Sequence, residues 1–121
     1  MDIKDIESYK LAREISKDAW DIYSRLNFNK QKIIGDQFIR SVDSIAANIA
    51  EGHGRYHYLD RNKFNYNARG SLIEAKHWLE LLLERKIINE KQYAPLHEKL
   101  VLCAQSINRF IQMTREAAKE L

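Results

Sequence analysis

The stretch Ser44–Arg55, "SIAANIAEGHGR", decides the fold because it carries two patterns at once. Ile45, Ile49 and the alanines recur at the three-and-four spacing of a helix that buries one face. Ser44, Asn48 and Glu51 thread polar atoms through the same turns, and Gly52 and Gly54 then interrupt the run. Either glycine is expected to end the helix, since glycine accepts the left-handed conformation that closes one. Two readings of the polar stripe, which Ser41 extends, stand side by side. One is a structural lock that fixes which helix faces which; the other is a working site. In the lock reading Glu51 is buried against an arginine such as Arg69, because a carboxylate buried alone is costly and paired charge-assisted bonds satisfy it. Ser71 and Glu74 are further partners from the same later segment.

The periodicity continues outward on both sides. Ile34, Phe38 and Val42 carry the stripe back, giving a second helix over about residues 32–52. Ala12, Ile15, Ala19, Ile22 and Leu26 mark a first helix over about 5–26, with Asp5 as its N-cap and "NFNKQ" (Asn27–Gln31) as a polar loop after it. A third helix over about 59–85 rests on Ala68, Leu72, Ala75, Leu79 and Leu82, and Arg85 and Lys86 suit its negative C-terminus. "NEKQ" (Asn89–Gln92), a capping-box variant, opens a fourth over about 90–119, lined by Leu96, Leu100, Cys103, Ile107, Phe110 and Thr114. Pro95 falls near its start, where the lost backbone bond costs least and a kink is expected. Strand-like alternation is absent. Four amphipathic helices with short connections bury their stripes only against one another, so an all-α, antiparallel up-down-up-down four-helix bundle is expected, one domain over 1–121 with crossing angles of about 20°.

At 121 residues and 45% hydrophobic, the chain has enough apolar surface for one core. It has no long uncharged apolar run, and its N-terminus is polar and acidic, so no membrane span or signal peptide is expected and the cytoplasm is the expected location. Cys103 is the single cysteine, which excludes an internal disulfide and a thiolate zinc cage; flanked by Leu102 and Ala104, it reads as a buried small apolar residue. Tyr9, Trp20 and Tyr23 widen the apolar arc of the first helix, and Trp78 and Leu81 that of the third. These arcs exceed what a small bundle needs, which points to self-association or, equally, to aromatics covering the flank.

Site chemistry is sparse. No phosphate-binding glycine loop is present, and Gly54 separates His53 from His57. "EAKH" (Glu74–His77) has the Glu-x-x-His spacing of di-iron bundles, which need two copies and two further inward glutamates; one copy, with Lys76 inside it, reads as a charged face. No catalytic residue, cofactor or metal is therefore expected. The better candidate is "HGRYHYLDRNKFNYNAR" (His53–Arg69), where Arg55, Arg61, Lys63 and Arg69 stand against Asp60 alone and carry the equivalent of the whole net charge of +3. Tyr56, Tyr58, Phe64 and Tyr66 alternate with them, combining phosphate-attracting charge with rings on which bases stack. Two functions follow as expectations: a non-enzymatic bundle that binds RNA or DNA through this corner, or a scaffold whose apolar arcs dock a protein partner. Self-association would repeat the corner and add weak sites by avidity.

"IRSVDSIAANIAEGHGR" (Ile39–Arg55) followed by "ARGSLIEAKHWL" (Ala68–Leu79) resembles the paired signature of the 23S rRNA intervening-sequence proteins, a four-helix-bundle family. The order and lengths of all four helices fit, so the likeness spans essentially the whole chain. His77 and Trp78 depart from the aliphatic residues usual after Glu74, and Asp43 lies in a stretch that is usually less acidic. The resemblance implies a left-handed up-down bundle, often a homopentamer in members of known structure. It also implies kinship with proteins encoded inside insertions in large-subunit ribosomal RNA genes and with accessory proteins of diversity-generating retroelements, which bind nucleic acid and a reverse transcriptase. Ser44, Asn48, Glu51, Gly52, Arg55, Arg69, Gly70, Ser71 and Glu74 occupy the signature positions.

Overall fold

A computed structural model describes residues 2–120, so the outermost positions of the expected domain, 1 and 121, lie outside the described residues. Four long helices carry the chain: α1 (Glu7–Ser24), α2 (Asp36–His53), α3 (Tyr58–Glu84) and α4 (Glu90–Lys119). Each packs on the next in sequence, and α4 closes the ring against α1. Cross-links fix the sense of that closure. Glu7 pairs with Arg109 and Asp18 with Lys99, so α4 runs backwards along α1. Among the described residues there is no strand, and the architecture is the expected all-α four-helix bundle.

The core is the set of apolar stripes. Ala12, Ile15 and Ala19 of α1, Phe38, Val42 and Ile45 of α2, Ala75, Leu79 and Leu82 of α3, and Leu100 and Cys103 of α4 are fully buried. Leu26 and Phe110 are half-buried, and Ile111 takes the inner position that Phe110 was expected to hold. Burial pushes the Cys103 thiol up to about 12, and the thiol hydrogen-bonds the Ser8 carbonyl, so this residue is part of the packing. Among the described residues no helix is long and apolar enough to cross a membrane.

The helix ends depart from expectation in informative ways. Asp5 caps nothing on α1: it lies in a short 3-10 turn, Ile3–Asp5, whose cap is Asp2, and the residue before α1 is Ile6. "NFNKQ" is largely helical, because the Asn27 side chain accepts from Lys30 N and starts a turn, Phe28–Lys30, that widens into a π-helical segment, Gln31–Gly35, and runs into α2. Tyr23 at the end of α1 donates to Asp36 Oδ1 at 2.6 Å, and Lys32 pairs with the other oxygen at 3.1 Å, fastening this junction. Those bonds, Tyr23 first, hold the Asp36 carboxyl below the usual range, and Asp36 in turn raises Tyr23.

Gly54 is the C-cap of α2, as expected, but neither it nor Gly52 adopts the left-handed conformation; among the described residues the one that does is Lys86, at φ 58°. Lys86 N bonds Leu83 O and Ile87 N bonds Leu82 O, the paired bonds of a Schellman ending to α3, with a lysine where glycine is usual. α4 opens as expected, with Asn89 and Gln92 exchanging the two bonds of a capping box.

Candidate functional site

The polar stripe of α2 does not form the interhelical lock. Ser44 Oγ donates to Arg40 O at 2.8 Å and Asn48 Nδ2 to Ser44 O at 2.8 Å, so both are satisfied within their own helix. Glu51 is exposed and pairs with Arg55 at 2.5 Å along the same helix end. The expected Glu51–Arg69 pair is not made, because Arg69 reaches across to Asn108 of α4 at 3.0 Å. Solvent explains the difference: a carboxylate at the rim of a bundle keeps its hydration, so burial is not imposed on it.

The buried polar bridge lies one helix later. Asn62 and Asn65 of α3 are almost fully buried; Asn62 Nδ2 donates to the Ile111 carbonyl of α4 at 3.1 Å, and Asn65 Nδ2 donates to Asn62 Oδ1 at 3.0 Å. Sequence reading passed over this pair. The three-residue spacing in "NKFN" between Arg61 and Tyr66 was the available signal, masked by the basic and aromatic residues around it.

Gly52 sets the corner between α2 and α3 by close approach. A Cβ there would meet the Phe64 Cβ at 3.0 Å and the Arg61 carbonyl at 3.1 Å, so only glycine lets the end of α2 seat on the first turns of α3. Gly70, by contrast, faces open space. Ser71 beside it is half-buried. Glu74 is exposed and accepts from Trp78 Nε1 at 3.3 Å, while the His77 ring stands edge-on to Trp78. Among the described residues no three His, Cys, Asp or Glu side chains gather as a metal-binding group.

With the corner fixed, the arginines lie down on the rings. Arg55 covers Phe64 at 4.9 Å, Arg61 covers Tyr58 at 5.3 Å, and Arg69 covers Tyr66 at 4.9 Å. Arg115 of α4 meets the same ring at its edge, where its guanidinium bonds the Tyr66 hydroxyl. Arg61 Nε is held further by the Arg55 carbonyl at 2.7 Å. Of the rings expected to offer faces to bases, Phe64, Tyr58 and Tyr66 each carry one of these guanidiniums over one face. Tyr56 and Lys63 remain exposed, Tyr56 with its ring edge against His57. Arg115 and Lys119 were outside the sequence-based candidates because they lie fifty residues further on, and only the antiparallel return of α4 brings them to this end.

A groove of about 500 Å³ opens between the first turn of α3 and the last turns of α4. Tyr58, Leu59 and Ala118 supply much of its apolar wall, Asn62 is in its lining, and Arg115 and Lys119 bring charge. The N-cap of α3, His57, makes no side-chain capping bond, and among the described residues the first-turn amides of that helix have no protein acceptor.

A search among curated proteins finds no match. Among solved structures, a crystal structure of a protein of unknown function from the S23 ribosomal protein family of Bacteroides thetaiotaomicron is similar to the chain. It superposes with a TM-score of 0.80 at 24% identity, over 86% of this chain and 97% of that one, a likeness of fold. The model of the 23S rRNA-intervening sequence protein family matches residues 4–118, nearly the whole bundle with its corner and both signature segments, and the chain belongs to that family.

Proposed function

We propose that this chain is a non-enzymatic, self-associating bundle protein of the cytoplasm that binds RNA or DNA through the end of the bundle carrying Arg55, Arg61, Lys63 and Arg69, with Arg115 and Lys119 joining them from α4. The observation that carries the reading is the stacking of three guanidiniums on three rings at that one end, with Arg115 bonded to the hydroxyl of one of them. Holding an arginine flat before the ligand arrives lowers the entropy lost on binding. Arg55, Arg61 and Arg69 each commit one donor within the protein, to Glu51, the Arg55 carbonyl and Asn108, and their remaining donors are the ones offered to phosphate. Contacts of this kind recognise the backbone, so binding is salt-sensitive and weakly selective for sequence. Exposed Trp20, Ile33 and Ile73 support self-association; in a ring of copies, five being the number the family resemblance implies, each basic end engages the same strand.

Titration of a fluorescent single-stranded RNA and its DNA counterpart, at low and at moderate salt, tests the reading. Affinity is expected to fall steeply as salt rises. Absence of binding at low salt, or binding indifferent to salt, overturns it. A second reading, a scaffold for a protein partner, is favoured by the exposure of Leu59 (81%) and Ile73 (62%). Co-purification of a defined protein that is lost with Ile73→Asp, combined with failure of the RNA titration, selects that alternative.

A further inference from the structure

We infer that the groove between α3 and α4 takes the base of an unpaired nucleotide, with its phosphate held by Arg115, Lys119 and the first-turn amides of α3. The inference rests on the nucleic-acid reading above and names what the strand contributes beyond phosphate. At about 500 Å³ the groove lies within the roughly 300–1,000 Å³ of small-ligand sites, and its walls suit a flat, largely apolar body. Tyr58 has Arg61 on one ring face, which leaves the other for a base, and Leu59 is left 81% exposed beside it. Asn62 is 6% exposed and committed through one N–H to Ile111 O and through one lone pair to Asn65, so its amide retains a second donor and a second acceptor in the groove lining. Charge is complementary: Arg115 and Lys119 line a mostly apolar slot that Asn62 and Thr114 also border. The uncapped start of a 27-residue helix adds its positive end, with Asp60 the one acid in that first turn. An apolar body joined to an anion is what this combination fits. In a nucleic-acid strand only an unpaired nucleotide offers both, because a paired base is hidden in its stack.

The test compares two strands of equal length with the whole protein: a single-stranded oligoribonucleotide, and a strand with abasic spacers at every position, which keeps all the phosphates. Wild type is expected to bind the intact strand roughly tenfold or more tightly, the size of effect that base stacking supplies. Ala118→Trp fills the groove without changing charge, and it is expected to bring the intact strand down to the affinity of the abasic one while still melting cooperatively. Equal wild-type affinity for both strands overturns the base site and leaves phosphate binding standing. Ala118→Trp binding like wild type overturns it too. Loss of all binding at low salt overturns the nucleic-acid reading itself, and the two failures are therefore distinct. Should Ala118→Trp fail to fold, the intact-to-abasic ratio of the wild type decides alone.

Discussion

Two glycines in the signature segments sit in opposite environments, and their substitutions separate packing from mere composition. At Gly52 a methyl group collides with the Phe64 Cβ and the Arg61 carbonyl, so Gly52→Ala is expected to cost about 1–3 kcal/mol. At Gly70 nothing lies within 4 Å, and Gly70→Ala is expected to add about 1 kcal/mol by helix propensity alone. Urea unfolding of both variants checks the pair. The same method ranks the polar residues. Asn62→Ala removes the bridge to the Ile111 carbonyl, leaves the buried Asn65 amide without its partner, and is expected to lose about 1–3 kcal/mol. Glu51→Ala removes an exposed pair along one helix and is expected to change stability by less than about 0.5 kcal/mol. Equal losses at Asn62 and Glu51 contradict the placement of the bridge on α3 and α4. At this scale the sequence was legible for apolar residues, whose spacing determines burial, and poorly legible for polar ones. Asn48 and Asn62 both recur at helical spacing, yet one is satisfied by its own backbone and the other across an interface, a choice made by the neighbouring helix.

Elements were easier to read than their ends. Periodicity located all four helices, and the Asn89–Gln92 cap was readable because both bonding partners are local. The ending of α3 was not: a lysine at φ 58° is chosen by the paired bonds to Leu82 and Leu83, against its own preference. Lys86→Gly is accordingly expected to stabilise by about 1 kcal/mol in thermal or urea unfolding. The start of α2 was missed because the Asn27 cap and the widened turn at Gln31–Gly35 let a polar segment enter the helix. That junction carries a pH signature. Asp36 has a lowered pKa in the folded chain, so its contribution is full above the ordinary aspartate pKa of about 4 and fades as pH falls through the lowered value. Tyr23 is raised, and its part is lost as pH climbs through that raised value. Unfolding measured across acid pH is expected to show a shallower loss for Asp36→Asn than for wild type; identical slopes contradict the junction as drawn.

Over the whole molecule the candidate site is a product of topology. The corner residues from Arg55 to Arg69 were visible as a charged, aromatic run, but Arg115 and Lys119 join them only because α4 returns to the start of α3. The stacking of the arginines was likewise invisible, since alternation along the chain does not say which ring each guanidinium finds. Self-association predicts a solution mass that is a multiple of the 14.3 kDa chain by light scattering, and a lone-chain mass removes the avidity argument. The central claim, that the ring-stacked arginines are phosphate contacts, is tested most directly by the slope of log affinity against log salt for single-stranded RNA, in wild type and in Arg61→Gln/Arg69→Gln. A steep wild-type slope that becomes flatter by about 1.4 in the double variant is the predicted result, about 0.7 for each contact removed from a single strand. Superimposable slopes from two proteins that melt alike would contradict it.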